Sequence, residues 1–248
     1  MHEIDFTKIE KYADNDGLNT KTPSNDKYEI LHALILSGIN NQETIINSNA
    51  YTAASLIKSE HNWQKRKDYK KYTPAKNGTK KLSYGQVCFI EFGKAYYSEM
   101  AYCHCGLYVG KYNGKCFVIP ITSVLKNYSD CYHPIDNKTG DKAFRRAKEN
   151  VGFLKKCILQ MNDAKFISVG RIIAGYEVIK PEALAQIKDQ LFSVILPDVY
   201  RSNNKIKQEY SLLLGELKTL QEENMNLKQK IQDINSYTIR EFGVFFKE

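Results

Sequence analysis

Proline and glycine are scarce in this 248-residue chain, at 6 and 14 residues, which excludes a collagen-like repeat and a flexible linker protein. Long apolar runs are missing as well. The most apolar stretch, residues 30–39, is about 10 residues, half of the ~20 that a membrane-spanning helix needs. The opening residues Met1-His2-Glu3-Ile4-Asp5 are acidic where a secretory leader is basic. A cytoplasmic protein with no membrane partner is therefore expected. The six cysteines all lie between Cys88 and Cys157, and without a leader they are expected as reduced thiols. Cys103-His104-Cys105 and Cys131-Tyr132-His133 lack the C-x2–4-C spacing of zinc sites, so neither a metal nor any other cofactor is expected.

What is present is an average share of apolar residues, 42%, and a formal charge of +8. That composition fits a soluble globular protein with a real core. The charge is uneven: residues 1–56 are acidic on balance, whereas residues 58–81 are strongly basic. A basic run of this kind is either a solvated face or a surface for RNA or an acidic partner. Residues 27–37 form an apolar run with few β-branched side chains, and a polar–apolar pattern continues from Asn41 through Lys71. Residues 1–72 thus read as a helical region.

From Leu82 the period changes. Residues 86–92, 105–112, 115–121 and 168–178 are short β-rich segments, and Asn113-Gly114 between two of them is a strong hairpin signal. Residues 181–196 then read as a helix with Leu184, Ile187, Leu191 and Val194 on one face, opened by Pro181 and stopped by Pro197. Further on, Ile206, Leu213, Leu220, Leu227 and Ile234 recur every seven residues, with Tyr210, Leu217, Asn224 and Ile231 on the other seam position. This predicts a coiled coil over 204–236, and Asn224 on the seam favours a parallel, in-register homodimer.

A two-residue Asn113-Gly114 turn pairs Tyr112 with Lys115. Without a bulge, the same count puts His104 opposite Ser123 and Cys105 opposite Thr122. An imidazole and two hydroxyls then meet at a strand end, with Glu99 on the loop before them. The set holds a group that titrates near neutral pH, a carboxylate, and hydroxyl donors suited to a phosphate.

The segments Gly85-Gln86-Val87-Cys88-Phe89-Ile90-Glu91-Phe92-Gly93, Ser98-Glu99, His104-x-Gly106-Leu107-Tyr108-Val109 and Val118-Ile119-Pro120-Ile121-Thr122-Ser123 together resemble the MazF/PemK family of toxin endoribonucleases. Asn162-Asp163-Ala164-Lys165-Phe166-Ile167 resembles a further family segment, and residues 178–184 resemble the entry to the family's terminal helix. The resemblance covers about residues 82–196 and departs from the family at three places: His104 stands where most members have an Arg, Gln86 where they have an Asp and Asp163 where they have a Gln. It implies an α+β fold, a small SH3-like β-barrel over 82–198 with an N-terminal helical extension and a C-terminal coiled coil. It also implies metal-independent cleavage of single-stranded RNA, in which the ribose 2′-OH attacks the adjacent phosphorus. Carried over, His104 is the acid or base, Glu99 its partner or the opposing base, and Thr122 and Ser123 the phosphate donors. Lys165 binds the RNA backbone, while Tyr97 and Tyr102, with Tyr96, stack unpaired bases. An enzyme of this kind implies an antitoxin or other inhibitor protein and a homodimer. The rival expectation is an inactive barrel that binds RNA or protein; a gyrase-poisoning toxin on the same barrel would leave Glu99 and His104 without a role.

Overall fold

A computed structural model describes residues 2–13, 24, 27–74, 79–124, 126–148 and 151–245, with the side chains of Lys8 and of residues from 235 onward outside the description. Met1 and Lys76, which contribute to the sequence-based expectations, lie outside the described residues. The chain divides into two compact units, Met1–Ile187 and Lys188–Glu248.

The first unit opens with three helices, α1 (Phe6–Ala13), α2 (Tyr28–Ile46) and α3 (Ala50–Arg66). The continuous pattern expected from Asn41 to Lys71 is broken at residues 47–49. Asn49 caps α3, its side chain accepting the Thr52 N–H at 2.9 Å, so a polar residue that favours a cap starts a second helix there. α2 buries none of its residues.

Eight strands follow: β1 (Gln86–Glu91), β2 (Cys103–Tyr112), β3 (Lys115–Thr122), β4 (Cys131–Tyr132), β5 (Asp141–Ala147), β6 (Cys157–Gln160), β7 (Lys165–Ser168) and β8 (Ile172–Val178). They form one sheet in the order β4-β5-β6-β3-β2-β1-β8, with β7 also paired to β3. The fold is α+β, as expected, but the sheet does not close into the expected barrel: β4 and β8 end it and do not pair with each other among the described residues. The outer edge of β8 is already occupied. Gly175 N–H donates to the Tyr72 hydroxyl at 2.7 Å and the Gly175 carbonyl accepts the Thr79 N–H at 3.0 Å. At Gly175, therefore, the edge's polar groups are taken by the incoming chain and are not left for another strand.

β3 is the branch point. Residues 115–118 pair with β7 and Ile121 and Thr122 pair with β6, while β2 runs along the opposite side. Pro120, which has no N–H to donate, falls in the gap between the two partners.

One face of the sheet carries the buried cluster of Cys88, Ile90, Phe92, Met100, Tyr108, Cys116, Val118, Ile167, Val169 and Ile172. The opposite parity, including Val87, Leu107 and Ile119, is buried too, and for this reason β1 reads as a nearly unbroken apolar run. α4 (Pro181–Ile195) lies on β5, where the buried Arg145 donates to Gln186 at 3.1 Å. β5 itself is absent from the sequence-based expectation, because its segment Asp-Lys-Ala-Phe-Arg-Arg-Ala shows no apolar alternation.

In the second unit Pro197 opens α5 (Pro197–Phe245), a first-turn position in which its missing N–H costs nothing. The heptad positions Ile206, Leu213, Leu220, Leu227 and Ile234 are all exposed along it.

α3 is held to the sheet by a buried cation. The Arg66 guanidinium, on a residue only 9% exposed, donates to the carbonyls of Gly170 at 2.8 Å, Thr73 at 3.0 Å and Ile172 at 2.7 Å. Burial lowers its pKa, yet an arginine stays charged and must keep its acceptors. Gly170 permits the approach, since a Cβ there would lie 2.6 Å from the Arg66 carbonyl oxygen. Replacing Arg66 with Met leaves these carbonyls unpaired and is expected to cost about 3 kcal/mol, read from urea unfolding followed by circular dichroism. A loss below about 1 kcal/mol would show that the three bonds add little to this docking.

Candidate functional site

The β2–β3 hairpin runs as expected only near its tip, where Tyr112 faces Lys115, Lys111 faces Cys116 and Gly110 faces Phe117. A bulge between Tyr108 and Gly110 then shifts the ladder, so that Cys105 faces Ile121 rather than Thr122. Continuing the shifted count sets His104 level with Thr122 and moves Ser123 one place beyond. The extra residue is Val109, and one inserted residue displaces every later pairing by one.

The expected site residues other than the loop tyrosines divide into three groups. His104 and Ser123 line one cleft of about 240 Å³ together with Cys103, Cys105, Lys155 and Tyr176. Thr122 belongs to a neighbouring cleft with Lys126, Asp130 and Gln160, and its hydroxyl accepts the Val124 N–H at 3.1 Å. Glu99 stands 3.8 Å from Lys165, which pairs more closely with Asp163 at 2.6 Å. Asp163 also accepts the Met100 N–H at 2.7 Å, tying the β1–β2 loop to the turn before β7. Glu99 makes no hydrogen bond or ion pair with His104 among the described residues.

The loop between β1 and β2 is pinned at its base, with Tyr102 N–H donating to Gly93 and Phe92 N–H to Tyr102, both at 2.7 Å. Ser98 and Tyr102 take positive φ values of 73° and 58°, a strained conformation for residues with side chains. Tyr97 is fully exposed, while Tyr102 is half-buried.

His104 is half-buried and has no hydrogen-bond partner among the described residues. Burial pushes its pKa below the ordinary 6.5, with the nearby Glu91 charge opposing the shift, so the imidazole is neutral at pH 7 and its lone pair is available.

Glu91 was not among the expected site residues. It is 5% exposed at the end of β1 and is surrounded by donors: Ser59 at 2.7 Å and Gly93 N–H at 2.8 Å on one oxygen, Cys103 at 2.9 Å and Asn62 at 3.0 Å on the other. Burial raises its pKa, but the bonds from Cys103, Asn62, Ser59 and Gly93 outweigh that and hold the carboxyl below its usual range. Its one signal in the sequence is a carboxylate closing an apolar strand. Among the described residues, no three His, Cys, Asp or Glu side chains gather as ligands for a metal.

No family model and no curated protein matches the chain. Among solved structures, the crystal structure of MazF (Form-I) from Deinococcus radiodurans is similar at 12% identity and a TM-score of 0.35, over 46% of this chain and 96% of that one. That likeness is loose and partial, and it carries nothing about chemistry.

All six cysteines are free thiols. Burial pushes Cys88, Cys103 and Cys157 up to about 12, the Glu91 hydrogen bond and charge adding to it at Cys103. It raises Cys105, Cys116 and Cys131 as well. The native protein is therefore expected to give slow thiol titration at pH 8, with all the thiols reacting at once in denaturant. A fast-reacting native thiol would contradict this, and mass mapping would name it.

Proposed function

We propose that this chain is a toxin-like, metal-independent endoribonuclease that cleaves single-stranded RNA as part of a toxin–antitoxin or defence system. The observation that carries the reading is the uncommitted His104 imidazole, neutral at pH 7 and set beside Ser123 and Lys155 in one cleft. The motif resemblance over residues 82–196 supports it.

In this reading the 2′-OH gives its proton to the His104 imidazole as its oxygen attacks phosphorus. The bond to the 5′-oxygen breaks, leaving a 2′,3′-cyclic phosphate, and the departing oxygen takes a proton from solvent water to become a 5′-OH. Ser123 and the Lys155 ammonium face the charge that grows on the phosphorane, with Thr122 a second hydroxyl at the same strand end. Glu99 is the opposing carboxylate on the loop, and Lys165 beside it meets the RNA backbone. Tyr97 and Tyr102 offer faces for unpaired bases. An antitoxin or other inhibitor protein restrains the enzyme, and it works in the cytoplasm.

One observation favours a second reading, an inactive module that binds RNA or protein: Glu99 is engaged with Lys165 and not with His104. Incubating wild type and His104→Ala with long single-stranded RNA in excess EDTA separates the two. The nuclease reading expects discrete cuts with cyclic-phosphate ends, reduced about 10²- to 10⁴-fold in the variant. It also expects kcat/KM to fall as pH drops through a value below 6.5, since protonation removes the base. Equal RNA binding by both proteins without any cleavage would establish the module instead.

We further infer that α5 pairs with its copy in a second chain as a parallel coiled coil. Its exposed seam has Leu213, Leu220 and Leu227 at one position and Asn224 at the other, the arrangement of a parallel dimer. In that register Glu223 faces Lys228 of the other helix. Asn224→Cys is expected to give a covalent dimer under mild oxidation, seen on a non-reducing gel; a monomer band alone would exclude in-register pairing.

A further inference from the structure

A second cleft, of about 440 Å³, opens between α3, the turn after β1 and the segment joining β7 to β8. None of the residues carried over from the family motifs as site residues lines it. Its size is that of a small-ligand site, and its lining combines an aromatic plate with cations. Trp63, 55% exposed, is the chain's single tryptophan. The Lys67 ammonium lies 5.0 Å from the centre of its ring.

Across from α3 stands Arg171. One of its nitrogens, Nη1, donates to the carbonyl of Glu91 at 3.1 Å and that of Phe92 at 2.6 Å, which fixes the guanidinium. Nε and Nη2 have no acceptor among the described residues. Gly93 leaves room for this group, since a Cβ there would sit 3.0 Å from Nη1. Lys94 is exposed on the same rim and donates to Asn41 at 3.1 Å. Ser168 adds an exposed hydroxyl.

The negative charges facing the cleft are Glu60 and Glu91. Glu91 keeps its charge with both oxygens engaged by four donors, and Glu60 is exposed and accepts from Gln64 at 3.0 Å. Lys67, Lys94, Arg171 and the buried Arg66 outnumber them, and the cleft favours an anion. A flat aromatic face beside a fixed guanidinium and two ammonium groups matches a nucleobase joined to a phosphate.

Position supplies the second half of the case. Cys103 and Asn62 form the partition between this cleft and that of His104. Cys103 lines the His104 cleft and donates to Glu91, which lines this one; Asn62 lines this cleft and donates to both Glu91 and Cys103.

We propose that the Trp63 cleft binds one nucleotide of single-stranded RNA, its base on the Trp63 ring and its phosphate on Arg171, Lys94 and Lys67, next to the nucleotide held at His104. The assignment to RNA rests on the proposed nuclease reading; the nucleoside-phosphate chemistry of the cleft stands without it.

The single tryptophan makes the test direct. His104→Ala protein, which holds RNA uncut, is titrated with a five-residue oligoribonucleotide and separately with AMP and UMP, and tryptophan fluorescence is recorded. Saturable quenching by the oligonucleotide, with mononucleotides silent to millimolar concentration, is the expected result. Quenching by both would keep the nucleoside-phosphate site and identify a free nucleotide as its ligand. Lys94→Glu and Arg171→Gln are each expected to weaken the quenching midpoint by about tenfold. Silence of the tryptophan toward every ligand, or an unchanged midpoint in Lys94→Glu, overturns the proposal. If wild-type protein cuts RNA while Trp63 stays silent, the subsite fails and the nuclease reading survives. If wild type quenches without cutting, the nuclease reading fails and the nucleoside-phosphate site survives.

Discussion

Two buried ions of opposite sign hold α3 to the sheet, and neither neutralises the other. Arg66 is held by three carbonyl dipoles, and Glu91 by two side-chain hydrogen bonds from α3, one from β2 and one backbone amide. An ion buried among neutral dipoles is tolerable only if its bonds are complete. Hydrogen-bond geometry therefore fixes how α3 docks, and the Trp63 cleft takes one wall from that helix. Glu91 also sets the electrostatics on each side: its charge opposes the depression of the His104 pKa and helps to raise that of Cys103.

Much of the sheet was legible because strands buried on both faces and a two-residue Asn-Gly turn leave strong local signals. β1, β2, β3 and α4 fall close to their expected places. β5 was not legible, since Arg145 is buried through a bond to Gln186, a residue 41 positions away, and no local pattern announces such a partner. The helix break at residues 47–49 was readable from Asn49, but the polar–apolar period runs on through it. Tyr72 and Thr79 engage the edge of β8 at Gly175, a long-range contact that strand patterns do not encode.

The candidate site was legible in composition and not in geometry. His104, Ser123 and Lys165 were identifiable as chemical groups at strand ends and loops. The register of His104 against Thr122 and Ser123 depended on one extra residue, Val109, inserted in an otherwise regular ladder. Glu91 and Arg171 give almost no signal in the chain, because their importance lies in which backbone groups they reach.

Pro120 bears on how this sheet assembles. β2 and β3 are neighbours in sequence and can pair early, while β6 and β7 arrive some forty residues later and must share one remaining edge of β3. Two short strands competing for one edge are prone to slip along it. A residue with no amide proton in the middle of that edge works as a stop, dividing it into two berths of unequal length. β7, paired over four residues, fits the longer berth and β6 takes the shorter. A single missing hydrogen thereby keeps the late strands from exchanging places.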